Sequence, residues 1–204
     1  MTAALELPSL LHEPRLLDEK HDWTVDDLAS LPEDLRYELI DGRLILPSPT
    51  GFHQNLCRAI AAMLEPNCPP AYAPTTDVSL KVNSRNEPRP DVVVHRKAVL
   101  MRTPAPLDGA LLLIEVVSPT SHARDTYAKA KLFAEVGVEH YWVVDSTFDG
   151  GVMLTDFRIG SDGTYDIAAS TNKVYTADQP YPITMDVPAL TALRDEYRRA
   201  AAEE

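Results

Sequence analysis

The chain has 204 residues and a formal net charge of −12, and its contents of 45% hydrophobic and 25% charged residues are typical of a globular protein with one sizeable core. The negative charge argues against a general nucleic-acid coat protein, because binding to phosphates normally requires a basic patch. The first apolar segment, residues 5–11, is short, is broken by Glu6 and Pro8 and follows no basic region, so we expect neither a signal peptide nor a membrane span.

The predicted elements begin after a segment with no clear period. Residues 1–20 carry mixed charge and two prolines, which predicts a mobile N-terminal arm, and residues 21–204 are predicted to form a single domain. The next elements are, in order, a capped short helix over 24–28, a hairpin over 36–46 around Asp41-Gly42, a helix over 52–64, a turn-rich connection over 66–74 and a strand over 77–82.

The second half of the chain contains the most apolar predicted strand. Its predicted elements are, in order, a buried strand over 91–94, a loop over 102–109, the apolar strand over 111–117, a helix over 122–136 ended by Gly137, a strand over 140–145, antiparallel strands between 151 and 183, and a helix over 188–202. A strand, a crossover helix and a second strand predict a right-handed parallel unit. The predicted fold class is α/β, a mixed sheet flanked by helices, with an N-terminal hairpin and helix and C-terminal antiparallel strands.

Two acids interrupt apolar strands. Asp91 stands in the segment RPDVVVH and Glu115 in LLLIEVVSPTS. Burial of an unpaired carboxylate costs several kcal/mol, so a cation between the two acids would explain the pair. The alternatives are that Asp91 caps the turn that it leaves and that Glu115 forms a salt bridge with an arginine.

Lys129 is predicted to face the same region. The apolar stripe of its helix consists of Leu132, Phe133 and Val136, and steps of three and four residues back from this stripe reach Lys129 and then Asp125. Lys129 is therefore expected on the side that faces the core, whereas Lys131 is expected in solvent. The alternative is a surface ion pair between Asp125 and Lys129.

Magnesium suits a site of two carboxylates, because it is a hard cation that prefers oxygen ligands and keeps several waters, and Mn²⁺ is a possible substitute. The ion would activate a water and stabilise phosphorane charge, and Lys129 would orient that water or neutralise the charge. Cys57 and Cys68 lie in unrelated contexts, with neither a CxxC pattern nor a Cys/His ligand spacing. We interpret them as reduced thiols of a cytoplasmic protein and do not expect zinc.

Short motifs between residues 24 and 193 carry a family resemblance. They are Tyr37-Glu38-Leu39-Ile40-Asp41-Gly42, His53-Gln54, Thr76-Asp77-Val78, Pro90-Asp91, Glu115-Val116-Val117-Ser118-Pro119, Asp125-x-x-x-Lys129 and Gly137-Val138-x-x-Tyr141-Trp142-x-Val144-Asp145. With them the chain resembles the PD-(D/E)XK restriction-endonuclease-like superfamily and, within it, a large bacterial family named "putative restriction endonuclease", a domain of unknown function. The resemblance implies a restriction-endonuclease-like fold.

The resemblance also implies roles for individual residues. Asp91 matches the first acid of the superfamily motif and Glu115 the second, while Val117 stands where the motif has lysine. Lys129 matches a lysine that has moved to the following helix. Glu38 matches an N-terminal acid of the family, which would bind the metal or orient a water.

Two residues have simpler explanations. Glu38 is equally explained as an ion-pair partner of Arg43 or Arg36. His53, at the start of a helix, is more often a cap or a hydrogen-bonding residue than a metal ligand.

The leading hypothesis is a magnesium-dependent DNA endonuclease with DNA as its partner. A homodimer is expected, because cutting both strands needs two sites and cyclic dimers are the commonest assembly. One alternative is a catalytically inactive nuclease-fold module that binds DNA or protein, which the acidic surface and the missing motif lysine favour. A third hypothesis is a structural or regulatory partner in which the acids form salt bridges only.

Overall fold

The computed structural model describes residues 21–32, 35–117 and 123–203, and for residues 123–128 it describes the backbone alone. The predicted N-terminal arm over residues 1–20 lies outside the described residues, as does the side chain of Asp125. Within the described ranges, no helix is both long and apolar enough to cross a membrane.

Groups of consecutive strands separate the α-helices along the described chain. The α-helices are α1 (Val25–Leu28), α2 (Gly51–Leu64), α3 (Ala123–Glu135) and α4 (Val187–Ala202). The strands are β1 (Glu38–Ile40), β2 (Arg43–Ile45), β3 (Tyr72–Thr76), β4 (Leu80–Lys81), β5 (Val92–Arg96), β6 (Ala105–Pro106), β7 (Ala110–Val117), β8 (His140–Asp145), β9 (Met153–Ile159), β10 (Tyr165–Thr171), β11 (Tyr175–Ala177) and β12 (Ile183–Met185).

A six-stranded mixed sheet forms the centre of the molecule, in the order β10–β9–β8–β7–β5–β3. Strands β7 and β8 are parallel and are joined through α3, which confirms the predicted parallel unit. The other neighbours in this sheet are antiparallel. The α/β fold with a mixed sheet flanked by helices is therefore confirmed.

The two faces of the sheet bury different helices. On β7, Leu112, Ile114 and Val116 belong to the core cluster that also holds buried residues of α2 and α4. Leu113 belongs to a second cluster with Phe133 of α3. Because side chains alternate along a strand, Glu115 shares the face of Leu113 and points toward α3.

The N-terminal hairpin is attached to the chain segment that precedes β5. Its turn has Asp41 at φ 48° and Gly42 at φ 75°, which is the conformation that an Asp-Gly hairpin turn requires. The backbone of Leu39 exchanges hydrogen bonds with that of Glu87, at 3.1 and 2.9 Å. These bonds bring β1 to the end of the sheet where β5 begins.

The prediction was wrong between residues 66 and 82. The expected turn-rich connection ends in β3, which pairs with β5, and the expected strand over 77–82 is reduced to the two residues of β4. Asp77 has a φ of 60° and ends β3. Pro74 is tolerated because β3 is an edge strand, where a missing N–H group can face away from the sheet.

Trp142 and Asp156 form a structural network on β8 and β9. The Trp142 Nε1 donates a 2.8 Å hydrogen bond to Asp156, and Arg158 and Tyr175 donate further bonds to the same carboxylate. Asp156 is fully buried, yet both of its oxygens are satisfied. Trp142 therefore has a packing role.

Candidate active site

A buried lysine joins two glutamates from separate elements into one cluster near the end of β7. Lys129 Nζ lies 2.6 Å from Glu38 Oε2 and 3.1 Å from each carboxylate oxygen of Glu115. The exposed fraction of each of the three residues is 8% or less. Glu115 Oε2 accepts a hydrogen bond from Lys129, whereas Oε1 has no hydrogen-bond partner within the described part of the chain.

The position of Lys129 is fixed by the packing of the last turn of α3 and by the way in which this helix ends. Phe133, one helical turn beyond Lys129, packs against Tyr141 with ring centroids 5.5 Å apart. Gly137 has a φ of 77°, and the N–H of Val138 donates to the carbonyl of Phe133 at 2.9 Å, which closes the helix. Lys129 therefore faces the core as its helical phase predicted.

Glu38 reaches the cluster from β1. Besides the contact with Lys129, its Oε2 accepts a 3.4 Å hydrogen bond from the backbone N–H of Arg89. The alternative partner Arg36 pairs with Asp77 instead, at 2.8 Å. Glu38 is thus oriented by the buried lysine, although it lies far from that lysine in sequence.

Asp91 lies one residue before β5 and is fixed by two hydrogen bonds. Its Oδ1 lies 2.9 Å from His53 Nε2, and its Oδ2 accepts a 2.7 Å bond from the backbone N–H of Val116. In the β5–β7 register Val92 faces Ile114, so one further residue brings Asp91 opposite Glu115. The two acids thus stand on neighbouring strands at one end of the sheet.

His53 is more closely involved in this region than the sequence indicated. The cap of α2 is Thr50, whose hydroxyl accepts from the N–H of His53 at 3.2 Å, while the His53 ring contacts Asp91. His53 begins the buried stripe of α2, which consists of His53, Leu56, Cys57, Ile60 and Leu64. A histidine on an apolar helical stripe was the signal that could have identified it.

Cys57 lies on the same stripe and close to the same acid. One ligand atom from each of His53, Cys57 and Asp91 lies within 4.8 Å of the others. The sequence shows neither a CxxC pattern nor the Cys/His spacing of a zinc motif at these residues. The spacing of four residues between His53 and Cys57 is one turn of a helix.

The cluster carries more acid than base. Burial raises the pKa of Glu115 well above its usual value, Lys129 opposes this shift, and Asp91 and Glu38 add to it. Burial alone would lower the pKa of Lys129, but Glu115, Glu38 and Asp91 outweigh burial and raise it, so the lysine stays protonated. Among the side chains that the structure describes, the Lys129 ammonium therefore pairs with two carboxylates, those of Glu38 and Glu115, and feels the charge of a third, Asp91.

This arrangement is suited to a divalent cation. A cation beside Asp91 and Glu115 would add positive charge to that of Lys129, whose contact does not bring the pKa of Glu115 back to its usual value. Glu115 Oε1, which accepts no hydrogen bond within the described residues, could bind the cation. Oxygen ligands from carboxylates are those that hard divalent ions prefer.

The match to a family model decides the identity of the chain. Residues 22–178, well over half of the chain, match the Uma2 family, described as "Putative restriction endonuclease". The chain belongs to this family. Membership places it among the restriction-endonuclease-like nucleases, and the cluster of Glu38, Asp91, Glu115 and Lys129 lies within the matched residues.

A solved structure supports the same fold. The crystal structure of "a putative nuclease belonging to DUF820" from Anabaena variabilis ATCC 29413 superimposes with a TM-score of 0.62 at 16% sequence identity. The match covers 84% of this chain and 98% of that one. None of the curated proteins compared with the chain matches it.

A separate cavity of about 730 Å³ is lined by none of the four residues Glu38, Asp91, Glu115 and Lys129. Its lining includes Lys81, Ala110, Val138 and Pro180. Ala110 begins β7 and Glu115 lies near its other end, roughly 16 Å away along an extended strand. The cavity is therefore remote from the cluster around Lys129.

Proposed function

We propose that this Uma2-family chain is a Mg²⁺-dependent DNA endonuclease that hydrolyses phosphodiester bonds. Asp91 and Glu115 hold the metal, and Mn²⁺ can replace magnesium. The observation that carries the proposal is the site at the end of β7. Among the described side chains, Lys129 pairs there with the buried Glu38 and Glu115, and Asp91 stands opposite Glu115. Such a surplus of negative charge is favourable when a cation binds beside it.

Lys129 acts as a hydrogen-bond donor in this proposal. A bound Mg²⁺ would lower the pKa of a water that it holds, and its positive charge would stabilise the negative charge that develops on the phosphate. Because the pKa of Lys129 is raised, its ammonium keeps its proton and serves to orient the attacking water or to neutralise phosphate charge. Glu38 orients the lysine through their 2.6 Å contact.

The wider proposal concerns DNA and assembly. We propose that residues 21–204 form one domain and that two copies pair, since two sites are needed to cut both strands. Limited proteolysis should leave a resistant fragment that begins near residue 21, and light scattering should give the mass of a dimer. A monomer mass in the presence of DNA and Mg²⁺ would contradict the pairing.

The test is metal-dependent cleavage of plasmid DNA by protein freed of metal with a chelator. We expect cleavage with Mg²⁺ or Mn²⁺ and none with EDTA. Asp91→Asn and Glu115→Gln should each lower the rate by about a hundredfold or more, because each removes a charged ligand that stabilises the transition state. Asp149→Asn and Glu139→Gln, at exposed positions, are the matched controls and should cleave like the wild type.

The possible results separate the competing functions. Cleavage that is equal in the wild type and in both site variants would come from a contaminant and would reject the proposal. DNA binding by the wild type without any cleavage would favour the inactive binding module. Cleavage lost only in the two site variants would support the endonuclease.

A further inference from the structure

Helix α2 directs two potential metal ligands of different chemistry toward Asp91. His53 and Cys57 are four residues apart on α2, so both side chains lie on one face of the helix. Both residues are buried, with exposures of 8% and 2%. Their ligand atoms and an oxygen of Asp91 all lie within 4.8 Å of one another. The three residues therefore offer one nitrogen, one sulfur and one oxygen to a single point.

This set of donors suits a different ion from the acids. Magnesium binds almost only oxygen, whereas zinc and cobalt readily take imidazole and thiolate ligands. In a tetrahedral zinc site, bond lengths of about 2.0–2.3 Å place the ligand atoms roughly 3.5 Å apart. A side-chain movement on the order of 1 Å would bring the three atoms to that spacing.

We propose that His53 Nε2, Cys57 Sγ and Asp91 form a second cation site that binds Zn²⁺ or Co²⁺ in preference to Mg²⁺. Two metal–ligand bonds then replace the hydrogen bond between His53 and Asp91. The proton that His53 Nε2 donates to Asp91 moves to Nδ1, which has no partner among the described residues, and this frees Nε2 to bind the ion. Cys57 binds as a thiolate, and its proton leaves to the solvent. Three protein ligands leave the fourth tetrahedral position for a water.

The surroundings give an ion access to such a site and leave the His53 ring free to turn. Asp91 has a side-chain exposure of 23%, which gives an ion access to the otherwise buried His53 and Cys57. His53 Nδ1 has no hydrogen-bond partner in the described structure, so Asp91 is the group that orients the ring. The ring can therefore turn toward an ion without breaking another hydrogen bond within the described residues.

The two sites share Asp91, which makes their occupants antagonists. An ion on His53 and Cys57 takes Asp91 as a ligand and neutralises the negative charge that the magnesium site needs from it. Zinc should therefore inhibit magnesium-dependent cleavage. This inhibition rests on the proposed nuclease function, whereas the binding of zinc or cobalt to His53, Cys57 and Asp91 is independent of it.

The test is a titration of the chelator-treated full chain with Co²⁺, followed by absorption spectroscopy. Thiolate ligation produces a charge-transfer band in the near ultraviolet, which oxygen ligands cannot give. We expect the band in the wild type and its loss in Cys57→Ser. Competition with Zn²⁺ should show an affinity at least about tenfold lower in Cys57→Ser and in His53→Ala.

Cys68 provides the matched control, because it is the other free cysteine, lies beyond the end of α2 and is not part of the group formed by His53, Cys57 and Asp91. Cys68→Ser should keep both the band and the zinc affinity. If the hydroxyl of Cys57→Ser disturbs the core, Cys57→Ala replaces it as the variant without the thiol. Thermal unfolding of the metal-free variants shows whether each is folded. A band that persists in folded Cys57→Ala, or that disappears in Cys68→Ser, would overturn the proposal.

Glu115→Gln separates this site from the magnesium site. The cobalt band should survive in Glu115→Gln, since Glu115 is not one of its ligands, and its loss would contradict a separate site. A cysteine-dependent band in a protein that cuts no DNA would leave this inference standing while the nuclease proposal fails. Where cleavage is present, zinc should inhibit the wild type and Cys68→Ser but not Cys57→Ser.

Discussion

Lys129 and the two glutamates show how individual residues decide between structural and catalytic explanations. Asp156 is also a buried acid, but three side chains donate to it, so its charge is fully met. Glu115 is equally buried, yet its pKa is raised, mainly by burial, despite the contact with Lys129. The comparison explains why Asp156 stabilises the fold, whereas Glu115 can gain from a further cation.

Removal of Lys129 should be costly. Lys129→Met leaves Glu38 and Glu115 buried without their ammonium, and we expect a loss of about 3–5 kcal/mol in the free energy of unfolding at neutral pH. Urea denaturation measures it. In the double variant with Glu115→Gln the loss should be smaller, because one unpaired charge is gone. Equal losses in the two backgrounds would show that the Lys129–Glu115 ion pair contributes nothing.

His53 should affect magnesium binding through Asp91. His53→Ala removes the 2.9 Å hydrogen bond to Asp91, and we expect Mg²⁺ affinity to fall about ten- to hundredfold in calorimetry. His53→Gln should bind nearly as the wild type, because its amide N–H reaches the place of Nε2. His53→Asn, whose amide corresponds to Nδ1, should behave like the alanine variant. The same affinity in all three variants would reject the positioning role.

At the scale of elements, the sequence was informative where periodicity is strong. The phase of α3 placed Lys129 inward and Lys131 outward, and Lys131 is indeed exposed and pairs with Glu135. Strand β3 was missed because Pro74 obscured its pattern and because edge pairing depends on the rest of the sheet. The His53–Asp91 contact was missed for a similar reason, since it joins a helix and a strand 38 residues apart.

The end of α3 offers a test of this element. Gly137 has a φ of 77° and nothing within 4 Å of an added Cβ, so Gly137→Ala meets only the backbone penalty of the left-handed region. We expect a loss of about 1–2 kcal/mol in chemical denaturation. Gly150→Ala also meets open space but without a positive φ, and it should change stability by less than about 0.5 kcal/mol. Equal effects of the two variants would contradict the helix-ending role of Gly137.

At the scale of the whole molecule, stability should depend on pH through Glu115. Its folded pKa is raised above the usual 4.5, so the folded state holds the proton more tightly than the unfolded state. The resulting stability is full below pH 4.5 and is lost as pH rises through the folded pKa. Lys129 stays protonated in the folded and the unfolded state over this pH range, so it does not contribute to the dependence of stability on pH.

The variant Glu115→Gln isolates this contribution. In chelator, its free energy of unfolding relative to the wild type should rise as pH increases from 5 to 9, because the wild type alone must ionise a buried acid. Denaturant titrations at several pH values measure the difference. The exposed variant Glu139→Gln should show no such trend. A relative stability of Glu115→Gln that falls with pH would contradict the raised pKa.

The buried lysine also determines which inactive form of the protein is useful for trapping DNA. Loss of Lys129 leaves the buried acids Glu38 and Glu115 without the cation that pairs with them, so such a form should be much less stable than the natural chain and poorly suited to crystallisation. Glu115→Gln keeps Lys129 paired with Glu38 and relieves the surplus of acid at the same time. An uncut complex with DNA is therefore best sought with the glutamine variant, which should be at least as long-lived in solution as the natural chain.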